Sequence, residues 1–203
     1  MLMVVAVLSL VIGNVVAIAQ SNIKRMLAYS TIAHVGFILL SIFTGTDQGY
    51  AAALFYTLTY VVSAAGAFGM IILLSRRGYD AENLSDFKGL NARSPWFAMI
   101  MMLLMFSMAG IPPLVGFFGK LYVFLAAIEA ELYTLAVIGV LSSVVGAFYY
   151  LRIVKLMYFE DAADQAVLQA STDTRVVLSL NGLAVLGLGI LPGWLWTICV
   201  AAI

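Results

Sequence analysis

Cysteine and histidine are almost absent from this chain, which has one of each, Cys199 and His34, among 203 residues. A lone cysteine excludes an internal disulfide, and the sequence holds no cysteine cluster and no paired-histidine haem arrangement. Neither a P-loop nor a dinucleotide-binding fingerprint occurs. No metal site is therefore expected, and any redox or nucleotide chemistry that drives this protein belongs to another chain.

Charge is the second scarcity. Only 10% of the residues are charged, whereas 64% are hydrophobic and the mean hydropathy is +1.08; soluble domains carry roughly 25% charged residues. Ten basic residues balance ten acidic ones, so no basic surface invites nucleic acid. Apolar runs of about 18 or more residues recur, each long enough to cross a bilayer as a helix. The sequence predicts an all-α, polytopic membrane helix bundle.

Six apolar segments lie along the chain, at about 2–20, 26–43, 50–74, 95–130, 133–157 and 175–202. The polar joints between them are too short for a soluble domain, so residues 1–203 are expected to form a single transmembrane domain. The first segment has no positive n-region and no cleavage site, which favours a span over a signal peptide. A chain that starts directly in the membrane suggests a missing N-terminal part.

The 95–130 segment contains a Gly-Ile-Pro-Pro interruption and could form one crossing or two. If it crosses once, nine of the ten Lys/Arg residues share one membrane face; if twice, they divide six against three. The positive-inside rule favours one crossing, which predicts six spans with a discontinuous fourth and the SNIKR joint facing the cytoplasm or matrix. The nine residues are Lys24, Arg25, Arg76, Arg77, Lys88, Arg93, Arg152, Lys155 and Arg175.

This topology places Lys120 inside the membrane. It lies about ten residues before the outer end of the fourth span, or roughly 15 Å deep, close to the midplane of a ~30 Å hydrocarbon core. A lysine at the centre of a span costs roughly 2.5–3.5 kcal/mol, so it usually faces a bundle interior or a water-filled cavity. There it could accept and release protons. The alternative is snorkelling to the interface, which the distance disfavours.

The backbone is interrupted just before this lysine. Pro112 and Pro113 remove two amide donors, and Gly110, Gly116 and Gly119 are expected to relax the chain on either side. Non-helical backbone at membrane depth is tolerated only where it is buried in protein or lines a cavity. Discontinuous helices of this kind mark ion and substrate sites in transporters. The alternative is an ordinary proline kink without a site.

Two neighbouring segments supply further candidates. His34 has Ser30 one turn before it, and an intramembrane histidine can relay protons because imidazole titrates near neutrality. The alternative is a packed histidine satisfied by a hydroxyl. Tyr56, Tyr60 and Ser63 follow i, i+4, i+7 spacing and could line a hydrated path, although hydrogen bonding between helices is an equal alternative.

Four stretches occur in a specific order and spacing: GNVVAIAQSNIKRMLAYSTIAHVGF, YVVSAAGAFGMI, FKGLNARSPWFAMIMMLLMFSMAGIPPLVGFFGKLYVF and GAFYYLRIVKLMYF. Over essentially its whole length the chain closely resembles the subunit N family of bacterial NADH:quinone oxidoreductase, or complex I, the counterpart of subunit 2 of the mitochondrial complex. That family has an antiporter-like fold of fourteen helices, in which two inverted repeats each contain a broken helix. The resemblance covers the last six helices, which implies the second, C-terminal half of that fold.

The resemblance implies a proton-translocating membrane-arm subunit that couples NADH oxidation and quinone reduction to proton pumping without redox chemistry of its own. Lys120 matches the family's lysine on the broken helix, and His34 matches the histidine after the NIKR joint. Lys24 matches the lysine of that joint, where interface anchoring is the simpler role. The family's intramembrane glutamate and its two first-half lysines have no counterpart here, so the proton path is incomplete.

The resemblance also implies cofactors, partners and a location. No cofactor is expected in this chain, because the parent complex uses NADH, FMN, iron–sulfur clusters and a quinone through other subunits. The expected partners are the lipid bilayer, the missing N-terminal half, and the antiporter-like and small connecting subunits of the membrane arm. The expected location is the bacterial cytoplasmic membrane, with the mitochondrial inner membrane as the alternative.

Two other functions stay open. The chain could be a structural or assembly piece of the membrane arm that has no complete channel of its own. It could also be a subunit of a cation/proton antiporter. The antiporter is disfavoured because the related antiporters carry a His-x-x-x-Lys type pattern on the helix that corresponds to 50–74, where this chain has no basic residue.

Overall fold

A computed structural model of the chain describes residues 1–75, 81–161, 168 and 170–203. Within these ranges the chain is helical, and the extended pairing is limited to one isolated bridge between Asn22 and Asn83. A short 3-10 helix spans Leu84–Phe87. The α-helices are α1 Leu2–Ile18, α2 Ile23–Phe43, α3 Asp47–Leu74, α4 Leu90–Arg93, α5 Pro95–Ala109, α6 Val115–Glu129, α7 Tyr133–Phe159, α8 Thr172–Ile190 and α9 Pro192–Ala201.

Local sequence explains where several helices begin. Polar side chains cap three of them by accepting a hydrogen bond from a backbone N–H three residues later, which satisfies one of the unpaired donors of the first turn. Two others begin with a proline, whose missing N–H has no intrahelical partner at that position anyway. The caps are Asn22 for α2, Thr46 for α3 and Ser171 for α8; the prolines are Pro95 of α5 and Pro192 of α9.

Four of the described helices, α2, α3, α7 and α8, are each long and apolar enough to cross a membrane. Helix α1 has 17 residues, and α5 and α6 have 15 residues each. The fourth predicted span is thus two half-helices separated by residues 110–114. The all-helical membrane bundle with a discontinuous fourth span is confirmed. Arg76 and Arg77, which entered the charge count, lie outside the described residues.

The sixth apolar segment differs from its prediction. We expected one span over 175–202, whereas the structure has two helices, α8 and α9, joined at Leu191. Leu191 has φ −121° and ψ 56°, outside the helical region. Pro192 is the physical reason, because it lacks an N–H and disfavours a helical conformation of the preceding residue. A hydropathy profile averages over such a break.

Helix α6 lies at the centre of the bundle, in contact with α2, α3, α5, α7 and α8. Small residues permit close helix approach elsewhere: a methyl group added at Gly13 of α1 would lie 2.6 Å from the backbone nitrogen of Ala33 in α2. Such close approach is typical of helix pairs in membranes. One face of α6 is therefore buried in the bundle, and that face includes Lys120, which follows the break.

Candidate functional site

The break begins at Gly110, which follows the last residue of α5. Gly110 has φ +86°, a left-handed conformation that favours glycine. Its N–H donates to the carbonyl of Ser107 at 2.9 Å, and the N–H of Ile111 donates to that of Phe106, also at 2.9 Å. These are the two hydrogen bonds of a Schellman motif. Part of the C-terminal end of α5 is thus satisfied by its own backbone.

Pro112 and Pro113 form the exposed turn that follows. The N–H of Leu114 then donates to the carbonyl of Ile111 at 3.2 Å, and α6 starts at the next residue. The two prolines therefore occupy the part of the segment that neither half-helix includes. They cost no hydrogen bond that a continuous helix would otherwise make here.

Gly116 and Gly119 differ from the expectation that they relax the chain. Both lie inside helix α6, and their role is close approach. The N–H of Gly116 donates to Oγ of Ser107 at 3.2 Å, and a methyl group at Gly116 would overlap the Ser107 carbonyl. A methyl group at Gly119 would lie 3.2 Å from Cδ2 of Tyr56. Only Gly110 of the three adopts a conformation that requires glycine.

Lys120 lies on α6 and is buried, with 6% of its surface exposed. Its Nζ donates to the carbonyl oxygen of Ala109 at 2.8 Å and to Oγ of Ser143 at 2.9 Å. The nitrogen also lies 5.5 Å from the centre of the Phe37 ring. The last carbonyls of a helix carry partial negative charge and stabilise a cation. Within the described part of the chain no carboxylate pairs with Lys120, so the end of α5 takes the place of a counter-ion.

A small cavity of about 10 Å³ lies beside the lysine. Cavities of roughly 10–15 Å³ are the smallest that hold a water molecule. Its walls come from α2, α3, α5 and α6, and they present hydroxyl groups, an imidazole and an ammonium. The lining residues are His34, Tyr56, Thr59, Tyr60, Ser63, Ser107, Met108, Gly116 and Lys120.

His34 is bonded at both ring nitrogens. Nδ1 lies 2.8 Å from the hydroxyl oxygen of Tyr56, and Nε2 lies 2.9 Å from that of Tyr150. Tyr60 stacks on the imidazole with ring centres 4.2 Å apart, and its hydroxyl is 2.6 Å from Oγ1 of Thr31. A neutral imidazole donates from one nitrogen and accepts at the other, whereas an imidazolium donates from both. Hydroxyls can donate or accept, so this arrangement satisfies either state.

Of the remaining expected residues, one lines the cavity and two do not. Ser63 lines the cavity and its Oγ lies 3.2 Å from Oγ of Ser107. Ser30 is buried but donates to the carbonyl of Leu27 at 2.8 Å, and it does not line the cavity. Lys24 lies away from the cavity and forms an ion pair of 2.7 Å with Glu82. That hydrogen bond lowers the pKa of the Glu82 carboxyl.

Three polar contributions were not singled out from the sequence: the hydroxyls of Ser107, Ser143 and Tyr150. Ser143 and Tyr150 both lie on α7, seven residues apart, and so share one helix face. A search of α7 for polar residues at helical spacing could have found them. Tyr149, the neighbour of Tyr150, donates to Oδ1 of Asn14 at 2.9 Å, which extends the buried polar groups to α1.

No group of three or more metal-ligating side chains occurs among the residues that the structure describes. Cys199 is a buried free thiol in α9. The polar groups that converge here are hydroxyls, an imidazole and an amine, all of which can carry or pass a proton. The break, the buried lysine and the apolar helices define a membrane helix bundle built around a discontinuous helix, an arrangement that also occurs in transporters.

Comparison with known proteins identifies the family. The sequence profile described as NADH:quinone oxidoreductase/Mrp antiporter, TM matches residues 1–146, and the chain belongs to this family. It is 64% identical to NADH-quinone oxidoreductase subunit N of Thioalkalivibrio sulfidiphilus (strain HL-EbGR7), over 100% of this chain and 42% of that relative. The resemblance drawn from the motifs is confirmed, and the chain is an integral membrane protein.

Solved structures show the same fold. One is respiratory complex I from Thermus thermophilus with bound Aureothin, which matches with a TM-score of 0.85 and 33% identity over 97% of this chain and 44% of that one. Another is the membrane-bound sulfane sulfur reductase, an archaeal respiratory membrane complex, with a TM-score of 0.89 and 28% identity over 99% of this chain and 41% of that one. The chain spans about 42% of the length of the curated relatives it matches.

Proposed function

We propose that this chain is a proton-translocating part of a membrane-arm subunit of NADH:quinone oxidoreductase, and that Lys120 is the group that takes up and releases the proton. One observation carries the proposal. Lys120 is buried at the break between two half-helices, it is held by a backbone carbonyl and a serine hydroxyl, and it lines a small cavity together with His34. A structural ion pair would instead present a carboxylate to this nitrogen.

The two hydrogen bonds of Lys120 suit both of its protonation states. An ammonium has three N–H donors, of which two bond to Ala109 and Ser143. A neutral amine keeps two N–H donors and gains a lone pair, so both bonds persist after the proton leaves. The proton that comes and goes is then the third one, on the side of the cavity. Neither state leaves Ala109 or Ser143 without its partner.

His34 is the partner in this exchange. A proton that leaves Nζ of Lys120 crosses the cavity and is gained at the imidazole, and the positive charge moves with it. One of the two tyrosine hydroxyls, that of Tyr56 or of Tyr150, already accepts from the N–H of the neutral ring, and the other turns from donor to acceptor as the ring becomes doubly protonated. Because both nitrogens keep a partner throughout, the transfer strands no buried polar group, which would cost roughly 1–3 kcal/mol. Lys120 and His34 thus act as one proton-holding pair.

The family also suggests the roles of the other subunits, the partners of this chain and its membrane, and these belong to the same proposal. NADH oxidation, FMN, iron–sulfur chemistry and quinone reduction take place in other subunits, and this chain contributes only proton movement. Its partners are the remaining part of the same subunit and the other membrane-arm subunits. The membrane is the bacterial cytoplasmic membrane, in keeping with bacterial relatives such as that of Thiobacillus denitrificans.

The test uses the assembled complex in sealed vesicles, with protons pumped measured per NADH oxidised. Lys120→Met removes the titrating group, and Lys120→Arg keeps a charge that does not leave at any working pH. We expect both variants to lower the ratio. A purely structural chain gives assembled variants with the wild-type ratio, and that result would exclude the proposed role of Lys120.

A further inference from the structure

A second cleft lies at the C-terminal end of α7, away from the lysine cavity. It has a volume of about 390 Å³ and is formed by the end of α7, the segment around the 3-10 helix and the joint between α1 and α2. We call it the basic cleft. Its charged lining residues are Lys88, Arg152, Lys155 and Glu160, and Ser21 and Ser85 contribute hydroxyls.

The charges of the basic cleft do not balance. Lys88 and Glu160 form an ion pair of 2.8 Å, so these two side chains neutralise each other. Arg152 and Lys155 are exposed, and neither makes a hydrogen bond or ion pair within the described part of the chain. Two positive charges are therefore left over, which matches a doubly anionic ligand.

The depth of the cleft places it at the level of lipid headgroups. Helix α7 has 27 residues, or about 40 Å at 1.5 Å per residue, whereas the hydrocarbon core of a bilayer is about 30 Å thick. The excess length projects the end of α7 into the headgroup layer. Arg152 and Lys155 lie in its last eight residues, and lysine and arginine near helix ends extend toward this layer.

The surface next to the cleft is suited to acyl chains. Val144 and Phe148 are 67% and 58% exposed, and they precede Arg152 by eight and four residues. Together with Lys155 they form one exposed stripe along α7, because residues three and four apart share a helix face. Apolar side chains occupy the part of the stripe inside the hydrocarbon core, and cations occupy its end.

We propose that the basic cleft binds the phosphate groups of an anionic phospholipid, whose acyl chains lie along Val144 and Phe148. Arg152 and Lys155 are the phosphate ligands, and the Lys88–Glu160 ion pair fixes the wall opposite α7. A headgroup with two phosphates fits the excess of two positive charges. Basic clefts between membrane helices on the positive side are typical sites for such headgroups. The apolar stripe favours a lipid over free phosphate, which has no chain to place there.

The test measures lipid retained by the intact protein that contains this chain. The double variant Arg152→Gln/Lys155→Gln removes both ligands, and Arg25→Gln is the matched control, because Arg25 is an exposed cation in the first turn of α2 that does not line the cleft. Each basic residue at an anionic surface changes binding about five-fold, so the loss of two is expected to weaken it roughly thirty-fold. Native mass spectrometry after mild delipidation counts the bound lipids.

We expect the wild type and Arg25→Gln to retain one anionic phospholipid that the double variant loses. Added diphosphatidylglycerol, and more weakly phosphatidylglycerol, should restore it in the wild type, whereas phosphatidylcholine and inorganic phosphate should not. Equal retention by the double variant would overturn the proposal. Displacement of the lipid by inorganic phosphate, or a structure of the assembled complex with an acidic protein segment in the cleft, would do so too.

Discussion

The Nζ atom of Lys120 lies 2.8 Å from the carbonyl oxygen of Ala109, the last residue of α5. A cation on one half-helix thus closes the C-terminal end of the other. The bond needs the break, because a continuous helix would use the Ala109 carbonyl for its own ladder. The proline turn and the lysine are consequently parts of one structure, since the turn frees the acceptor that holds the ammonium.

Gly110→Ala should disturb this structure without replacing a titratable group. Alanine at φ +86° costs about 1–2 kcal/mol, and its methyl group would lie 2.9 Å from Cδ of Lys120. We expect a lower thermal midpoint and fewer protons pumped per NADH. Gly187→Ala is the control, because no atom lies within 4 Å of an added methyl group there and alanine favours the helix. Equal thermal midpoints for both variants would show that the packing of the Lys120 side chain against residue 110 does not require glycine there.

Ser143→Ala should weaken the hold on Lys120 while leaving the fold intact. The variant removes one of its two hydrogen bonds, and hydrogen bonds to charged groups contribute roughly 1.5–3 kcal/mol. Ser142→Ala is the matched control on the same helix, because Ser142 makes no bond to Lys120. Proton pumping per NADH should fall for Ser143→Ala and stay at the wild-type value for Ser142→Ala. Identical ratios in the two variants would remove Ser143 from the site.

Tyr150→Phe tests whether His34 depends on its hydrogen bond with the Tyr150 hydroxyl. Nε2 of the buried imidazole loses its partner, which costs roughly 1–3 kcal/mol. We expect a lower thermal midpoint together with slower proton transfer. Tyr133→Phe removes the same hydroxyl from a tyrosine that is 59% exposed, and it should change neither quantity. A wild-type midpoint for Tyr150→Phe would mean that Nε2 does not need this bond.

The Lys24–Glu82 ion pair predicts a pH dependence of stability at the membrane face. The pKa of Glu82 is lowered mainly by its hydrogen bond from Lys24, so the native state holds a proton less tightly than the unfolded chain. The stabilisation is therefore present above the usual carboxyl range and is lost as the pH falls through the lowered pKa. Glu82→Gln should lower the thermal midpoint at pH 7, and its difference from the wild type should shrink as the pH falls below the usual carboxyl range.

Glu131→Gln is the control for this prediction, because Glu131 makes no ion pair within the described residues. Its midpoint should follow that of the wild type at both pH values. A difference between wild type and Glu82→Gln that grows on acidification would contradict the assignment. The predicted result, a difference that shrinks on acidification, would also favour a role of Lys24 in fixing the joint over a role in proton transfer.

The sequence predicted the helical bundle well because hydropathy and positive charge vary over the length of a whole span. The break at Pro112 and Pro113 was also predictable, since proline acts locally on the backbone. The split at Pro192 was missed, although the same rule applies, because the surrounding apolar run was counted as one segment. The acceptor role of the Ala109 carbonyl could not be predicted, because it depends on where α6 returns against α5.

The partners of His34 illustrate the same limit. Tyr56 was a candidate through its spacing on one helix, whereas Tyr150 is 116 residues away in sequence. Only the packing of α7 against the bundle brings its hydroxyl to Nε2. Spacing within a helix identifies which residues share a face, but not which face of another helix they meet.

The central claim is that Lys120 and His34 exchange one proton and act as a single unit. The most direct measurement is a double-variant cycle of Lys120→Met and His34→Gln, with protons pumped per NADH oxidised by the reconstituted complex. Residues that act as a unit give strongly non-additive losses. We expect the number of protons pumped per NADH in the double variant to equal or exceed that of the single variant with the lower ratio. If the two losses instead multiply, the residues work independently and the account of a shared proton is contradicted.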